Sequence, residues 1–280
     1  MCGVKGVDGL SFENSYSEIL KKIKASNAEI IALTGGEPTL HPDILGLAKK
    51  IKELNFKGFI ISSNGARFAD EDFTKKMVDC GLKRVSLSLH GPKDATAKIT
   101  RSDSFGKSIS GIKNLLENQV DVRVVSILMN PNINYLHDLY NHLLDLDVSK
   151  VEILNINYEG RALKRVKDLA VSFTQKKNFF LENRDVLSKF SEVRVTEFPR
   201  CLLPQELPPN FAYLSSYGKI AANSYDSDMG GGVNFKEYRQ VEICSRCRFR
   251  GYCPGLKKRD LKLFGVNDFK EAAGESSFLN

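Results

Sequence analysis

The sequence predicts an α/β protein built on a parallel sheet, because short β-branched runs alternate with helix-period segments between Ser15 and Asn157. The composition agrees with a packed fold, since 42% hydrophobic and 27% charged residues is the ordinary globular mix. At 280 residues the chain is long enough for one large domain and a smaller appendix. We therefore expect a large α/β domain followed by a small second piece.

Five strands are predicted in the first part of the chain, each followed by loop residues and then by a helical pattern. The first of these helices shows the clearest periodicity, because apolar residues recur at helical intervals from Ile44 to Leu54. A proline just before it agrees with a helix that begins there. The predicted strands are Glu29–Leu33, Gly58–Ser62, Arg84–Leu89, Val122–Leu128 and Val151–Ile156.

The organisation of the chain changes after about Arg161. A helix is predicted over roughly Ser172–Asn183 and a strand near Val193–Phe198, before a proline-rich turn and a segment that contains three consecutive glycines and the last three cysteines. Such a segment cannot bury much apolar surface, so we expect it to rely on a metal for its shape. We place the domain boundary near residue 165, which gives domains at 1–165 and 166–280.

The net charge of +7 favours acidic partners in principle, because a net field raises the encounter rate with the opposite charge. Most lysines, however, are scattered along predicted helices as solvated faces, so we expect no dedicated nucleic-acid surface. The exception is the tail from Cys244 to Lys262, which has seven basic residues against one acid, Asp260.

The sequence contains neither the apolar run of a signal peptide near its start nor a stretch of ~18 uninterrupted apolar residues. We therefore expect no membrane contact and a cytoplasmic location. Six cysteines in that compartment are kept reduced, so clustered ones are better interpreted as metal ligands or catalytic groups than as disulfides.

The segment Thr34–Leu40, with the sequence TGGEPTL, lies between a predicted buried strand and a predicted helix. In parallel α/β proteins, ligands gather at the carboxyl ends of strands. Its two glycines would let a ligand approach the main chain, Pro38 stiffens the exit, and Glu37 offers a carboxylate that could accept bonds from an ammonium group. The alternative is a plain turn with a surface glutamate, and this short motif alone does not decide between them.

A second candidate site is formed by the cysteines of the tail. Cys244 and Cys247 are in a CxxC pair, Cys253 follows, and Cys201 is a plausible fourth ligand upstream. Four thiolates suit either a tetrahedral zinc ion or an iron–sulfur cluster, and the spacing leaves both open. Cys80 is predicted to be a core thiol, because its neighbours are apolar.

Leu33–Leu40 resembles the GGEP motif of radical S-adenosylmethionine (SAM) enzymes, and other segments resemble that family in the expected order. The resemblance covers about residues 1–165 and implies a partial (β/α)6, TIM-like barrel that lacks its first strand here. The further matching segments are Ser62–Gly65, Ser86–Gly91, Gly106 with the helix after it, Met129-Asn130 and Tyr158–Ala162.

In this family three cysteines of a CxxxCxxC motif bind a 4Fe-4S cluster, one iron of which chelates SAM. Cys2 fits the last of these positions, and the first two would precede Met1. We expect the start to be internal to a longer reading frame; the alternative is a shortened paralogue that has lost SAM cleavage. A reductant such as ferredoxin or flavodoxin is implied as a partner.

The resemblance also implies which residues bind SAM. His90 could face SAM or substrate, but a lone histidine at a strand end is as often a loop residue. The residues expected to seat SAM are Gly35, Gly36, Glu37 and Pro38, with Ser63, Asn64, Ser88 and Asn130 as polar candidates at strand ends.

The tail resembles the SPASM or twitch extensions of radical SAM enzymes, which bind auxiliary iron–sulfur clusters. This resemblance favours one auxiliary cluster over zinc, held by Cys201, Cys244, Cys247 and Cys253. It implies a peptide or protein substrate, from which a 5′-deoxyadenosyl radical abstracts hydrogen. One alternative is a noncatalytic zinc- or cluster-binding paralogue that binds RNA or an acidic protein. Another is still an enzyme, which modifies RNA or a small cofactor precursor; against it, the tail has few aromatic residues for base stacking.

Overall fold

The computed structural model describes residues 29–93, 104–204, 208–214, 237–251 and 253–274, together with Lys21 and Lys24. The chain divides into two compact units. The first comprises residues 1–125, 146–148 and 158–164, and the second comprises residues 126–145, 149–157 and 165–280. The domain boundary expected near residue 165 stays a prediction.

Seven strands form one sheet and are hydrogen-bonded in chain order, β1 to β7. The pairs within β1–β4 and within β5–β7 are parallel, which confirms the predicted α/β class with a parallel sheet. A separate antiparallel hairpin, β8–β9, lies in the tail. The strands are β1 Ile31–Leu33, β2 Phe59–Ser63, β3 Leu82–Ser88, β4 Asp121–Leu128, β5 Lys150–Asn155, β6 Glu192–Thr196, β7 Phe211–Leu214, β8 Tyr238–Arg239 and β9 Leu256–Lys257.

Helices follow the strands as the alternating pattern predicts. No helix in the described ranges combines the length and the apolar character needed to cross a membrane. The α-helices are α1 Ile44–Glu53, α2 Glu71–Asp79, α3 Phe105–Glu117, α4 Leu136–Asp145, α5 Val166–Leu169, α6 Phe173–Glu182, α7 Arg184–Ser188 and α8 Lys258–Ala273, the last kinked at Gly265, which has a non-helical backbone with φ 78°. Short 3₁₀ helices occupy Pro38–Leu40, Ala66–Ala69, Ile133–Tyr135, Gly160–Arg165, Arg200–Leu202 and Glu242–Arg246.

In the first unit, the helices pack closely on the turns that end the strands. Helix α1 begins where its sequence predicts, because Asp43 caps it by accepting a hydrogen bond from the Gly46 amide at 3.1 Å. Its apolar face is buried as expected. Gly111 of α3 lies so close to the turn after β2 that a Cβ there would be 2.3 Å from the Gly65 carbonyl oxygen.

In the second unit, α6 and α8 are joined by polar contacts. Helix α6 begins and ends one residue inside its predicted bounds, and Ser172 and Gln175 form a capping box at its start. Asp268 of α8 accepts hydrogen bonds from the Phe173 amide at 2.8 Å and from the Thr174 hydroxyl at 2.7 Å. These contacts fix α8 against the amino end of α6.

The structure corrects three expectations for the second half of the chain. Strand β6 ends at Thr196 and not at Phe198, because Glu197 adopts a left-handed backbone with φ 66°. Strand β7 was not predicted, since its four residues follow a proline-rich turn and show no clear alternation. The tail also buries more apolar surface than expected: Phe173, Cys201, Leu202, Leu256, Phe269, Ala272 and Ala273 form a buried cluster.

Candidate functional site

The loop after β1 is organised around the carboxylate of Glu37. Its Oε1 accepts hydrogen bonds from the Thr39 amide at 3.2 Å, the Thr39 hydroxyl at 2.6 Å and the Ser63 hydroxyl at 2.8 Å. Its Oε2 accepts one from the Asn64 amide at 2.6 Å. Because a carboxylate offers about four acceptor positions, the protein itself already engages this group. Glu37 thereby joins the carboxyl ends of β1 and β2.

The main chain at Gly35 and Gly36 is the part of this loop left open to a ligand. Both residues are exposed, and a Cβ placed on either would meet no atom of the described residues within 4 Å. Gly35 has φ 129°, a conformation that favours glycine. A ligand can therefore approach backbone groups here, whereas the ammonium contact expected for the Glu37 carboxylate would have to compete with internal donors. The seating of SAM by residues 35–38 stays a prediction.

Ser63 and Asn64 lie next to Glu37, as their placement at the end of β2 predicts. The Ser63 hydroxyl also accepts a hydrogen bond from the Gly65 amide at 3.0 Å. The Asn64 side chain accepts one from the Ala66 amide at 2.8 Å. Both side chains therefore stabilise the turn after β2, and SAM binding by them is untested.

Ser88 and Asn130 are not brought to Glu37 in any described contact. Ser88 is the last residue of β3, and its side chain is exposed. Asn130 follows β4 in the second unit and is exposed, and its backbone N–H donates a hydrogen bond to the Leu169 carbonyl at 3.0 Å. Their predicted roles stay predictions. Cys2 lies outside the described residues.

Sequence reasoning missed Arg67 as part of the first site. Its guanidinium donates a hydrogen bond to the Thr39 carbonyl and lies 4.3 Å from the centre of the Phe73 ring. Arg67 therefore holds the end of the Glu37 loop from the turn after β2. No local pattern marks it, because the two residues are 28 positions apart in the chain.

His90 is buried at the end of β3. Burial lowers the pKa of its imidazole from 6.5 to about 4, because the charged form would lose its hydration. The neutral form is therefore favoured by the fold, and the unfolded chain binds the proton first as the pH falls.

We expect His90 to make the protein less stable in mild acid. The stability from its neutral form is complete above pH 6.5 and is lost as the pH falls toward 4, by about 2 kcal/mol between pH 7 and pH 5. Urea unfolding of wild type and His90→Gln at the two pH values measures the difference, and the variant should lose less stability. The matched control is His142→Gln, since His142 is exposed. Equal acid sensitivity of wild type and His90→Gln would contradict the prediction.

The second candidate site is a cavity whose wall includes all four tail cysteines. Cys201 and Cys253 are buried, Cys244 and Cys247 are half-buried, and all four are free thiols. The residues around this cysteine cavity are Pro199, Cys201, Gln240, Cys244, Cys247, Arg250, Cys253, Gly255, Leu256 and Phe269. The fold thus brings together the cysteines that the sequence assigned to one site, although Cys201 is 43 positions before Cys244.

The electrostatics of the cysteine cavity disfavour bare thiolates. Burial raises the pKa of Cys201 well above its ordinary value, and the three neighbouring cysteines raise it further. Burial likewise raises the pKa values of Cys244 and Cys253. Four thiolates here would need a cationic centre, which is the chemistry of a metal–thiolate site. Within the described ranges, no three or more His, Cys, Asp or Glu side chains are already arranged to hold a metal ion.

A buried polar network at the ends of β5 and β6 was also missed by sequence reasoning. The Lys257 ammonium donates to the Asn155 carbonyl at 3.2 Å, the Ile156 carbonyl at 2.6 Å, the Asn157 side-chain oxygen at 2.6 Å and the Glu197 carboxylate at 2.9 Å. Burial lowers the pKa of Lys257, while the adjacent carboxylate opposes that change. Lys257 therefore anchors the β8–β9 hairpin and is not one of the surface charges of the tail.

Comparisons with solved structures identify the fold. The chain resembles native anSMEcpe with bound AdoMet, with TM-score 0.55 and 17% identity, over 93% of this chain and 87% of that one. It also resembles SuiB of Streptococcus suis bound to S-adenosylmethionine, with TM-score 0.54 and 12% identity, over 94% and 71% of the two chains. At these identities the similarity shows the fold alone.

Curated relatives with higher identity match about half of the chain. A protein of Saccharolobus islandicus named probable GTP 3′,8-cyclase is 34% identical over 137 residues, which is 48% of this chain and 42% of that protein. One of Sulfurisphaera tokodaii with the same name is 29% identical over 164 residues, 57% of this chain and 52% of that protein. The chain therefore covers only about half of the length of these relatives.

A family model places the chain more directly. The model described as the radical SAM superfamily matches residues 1–145, more than half of the 280 residues and the part that contains the Glu37 loop and strands β1 to β4. The chain belongs to the radical SAM superfamily.

Proposed function

We propose that this protein reductively cleaves SAM to methionine and a 5′-deoxyadenosyl radical, which then abstracts a hydrogen atom from a substrate. One electron enters the sulfonium, the bond from sulfur to the 5′ carbon breaks, and the radical becomes 5′-deoxyadenosine when it takes the hydrogen atom. A 4Fe-4S cluster supplies that electron and chelates SAM in this family. Cys2 is the residue of this sequence proposed to hold it.

The observation that carries the proposal is the ordered Glu37 loop, whose two glycines are exposed with none of the described residues packed against them. Four hydrogen bonds hold the Glu37 carboxylate, so the main chain at Gly35 and Gly36 is presented in one conformation. The loop lies at the carboxyl end of β1, where ligands bind in parallel α/β sheets. The chain's own contribution is to bind and orient SAM there.

We further propose one auxiliary iron–sulfur cluster in the cysteine cavity. The residues fit such a group, because four reduced thiols share one wall and the other three cysteines raise the thiol pKa of Cys201. The proposed ligands are Cys201, Cys244, Cys247 and Cys253. In the cytoplasm, where we propose that the protein acts, thiols are kept reduced and are therefore available as ligands.

The protein is prepared with whatever residues the reading frame encodes before Met1 and is reconstituted anaerobically. We expect it to form 5′-deoxyadenosine from SAM when a chemical reductant is added. Glu37→Gln should bind SAM about tenfold more weakly. The NH₂ group of glutamine cannot accept a hydrogen bond, so it would face an amide or hydroxyl group that now donates to the carboxylate. Equilibrium binding of SAM and chromatography of 5′-deoxyadenosine measure the two effects.

The control for this test is Glu53→Gln, which changes an exposed glutamate of α1 in the same unit. It should bind and cleave SAM as wild type does. Protein that loads iron but neither binds nor cleaves SAM would contradict the proposal and favour the noncatalytic alternative.

For the substrate we propose a peptide or protein side chain. The tail resembles SPASM or twitch extensions, and one structure similar over 97% of this chain, at TM-score 0.57 and 16% identity, contains anSMEcpe with AdoMet and the Cp18Cys peptide. A second candidate is GTP, which the names of the curated relatives favour. Substrate-dependent 5′-deoxyadenosine formation separates them, since only the second candidate predicts stimulation by GTP together with its consumption.

A further inference from the structure

We propose that Arg246, Arg248 and Arg250 form a docking surface for an acidic electron carrier of the flavodoxin or ferredoxin class. These three arginines are exposed and together form the arginine patch. The proposal rests on the metal centre proposed for the cysteine cavity, and it goes further by assigning a partner surface. One electron would pass from the reduced carrier to that centre, and no covalent bond is made or broken.

The first supporting observation is the distribution of charge. The segment Cys244–Gly251 contains the three arginines and no acidic residue, and one exposed acid, Glu242, lies two positions before it. A concentration of one sign on a short exposed segment attracts a protein face of the opposite sign and raises the association rate. Lys257 and Asp260 do not alter this surface, because both are buried.

The second observation is the position of the arginine patch next to the open side of the cysteine cavity. Cys244 and Cys247 are half-buried, whereas Cys201 and Cys253 are buried, so the first two are the cysteines nearest to solvent. Each arginine lies within six positions of both, and Arg250 itself lines the cavity. A carrier bound to the patch would be brought close to any centre that these cysteines hold.

The third observation is that part of the patch is held in place. The Arg248 guanidinium lies 4.7 Å from the centre of the Phe249 ring, and Arg200 lies 4.8 Å from the same ring. Phe249 is buried, so this stacking restricts the motion of Arg248. A positioned charge loses less entropy on binding than a free one.

An acidic protein suits this surface better than RNA does. Single-stranded RNA binding uses exposed aromatic rings on which bases stack. In the described part of the tail, Phe249 and Tyr238 are buried and Phe264 is half-buried. Among the described residues, the arginine patch therefore offers charge without an exposed aromatic ring on which a base could stack.

The test compares two double variants of the full, iron-reconstituted chain. Arg246→Glu with Arg248→Glu reverses two charges of the patch and leaves the cavity residue Arg250 intact. Lys107→Glu with Lys113→Glu reverses two exposed charges of α3 and changes the net charge by the same amount. Isothermal titration with an oxidised flavodoxin measures affinity at low and at physiological salt, and stopped-flow mixing with the reduced flavodoxin measures electron transfer.

We expect the patch variant to bind flavodoxin at least about tenfold more weakly and to accept electrons from it more slowly, while the α3 variant stays within about twofold of wild type. Wild-type binding should weaken as salt rises. Iron content and reduction by dithionite should be equal in all three proteins, which shows that the cysteine cavity is intact.

Wild-type affinity in the patch variant, or equal weakening in both variants, would overturn the proposal. So would arginine-dependent binding of a single-stranded RNA oligonucleotide by a protein that does not bind flavodoxin. If wild type does not cleave SAM with dithionite as the reductant, the proposed function is contradicted, whether or not flavodoxin binds. If SAM cleavage is normal and the patch variant binds flavodoxin as tightly as wild type does, only the proposed docking surface is contradicted.

Discussion

Lys176→Met should destabilise the second unit by about 3–5 kcal/mol. The Lys176 ammonium and the Asp260 carboxylate form an ion pair whose side chains are 0% and 1% exposed. Methionine preserves most of the side-chain length but leaves the Asp260 carboxylate buried without this partner. The cost is large because an uncompensated buried charge loses its hydration and gains nothing in return. The midpoint and slope of urea unfolding, followed by circular dichroism, measure it.

Two further variants make the reason for this loss testable. Lys50→Met removes a lysine from an exposed ion pair with Glu53 and should change stability by less than ~1 kcal/mol. Lys176→Met combined with Asp260→Leu removes both buried charges and should recover much of the loss. If Lys176→Met unfolds at the same urea concentration as wild type, the pair does not hold α6 and α8 together.

Replacing Cys244 and Cys247 together by alanine should remove about four iron atoms per chain relative to wild type, because the remaining two thiols cannot hold a cluster. It should also make the segment around residues 237–257 sensitive to protease, since metal binding contributes directly to the folding of small metal-dependent segments. Iron and sulfide analysis after anaerobic reconstitution, with limited proteolysis, measures both effects.

The matched control for the cysteine pair is Cys80→Ala. Cys80 is also a buried free thiol, as the sequence predicts, but it lies in the first unit outside the cysteine cavity. Its replacement should leave the iron content unchanged. Wild-type protein that carries one zinc ion and no auxiliary iron would contradict the cluster and support the zinc alternative.

Local sequence patterns predicted most of the sheet. They failed where contacts between residues far apart in the chain decide the backbone conformation. The five strands predicted before residue 157 are all present, with ends that differ by at most two residues. Strand β6 was overextended, because the left-handed conformation of Glu197 accompanies hydrogen bonds to Tyr238 and Lys257, which lie far along the chain. No alternation of apolar residues carries that information.

The same limit applies to the candidate sites. The motif around Glu37 identified the right loop, but two of the four donors to its carboxylate come from elsewhere: Ser63 at the end of the next strand and Asn64 directly after it. The seven basic residues counted in the tail include Lys257, which the fold buries against four oxygen acceptors. A lysine in a basic segment looks solvated until tertiary contacts are known.

The sequence by itself determined the α/β class, the order of the first five strands, the loop at residues 35–38 and the grouping of Cys244, Cys247 and Cys253, because each depends on periodicity or on spacing within short segments. Only the tertiary structure decided that Ser63 and Asn64 donate to the Glu37 carboxylate, that Lys176 pairs with Asp260, and that Cys201 lies at the same cavity as the other three thiols. These contacts join residues 26 or more positions apart. Their geometry follows from how the strands and helices pack, which no local pattern specifies.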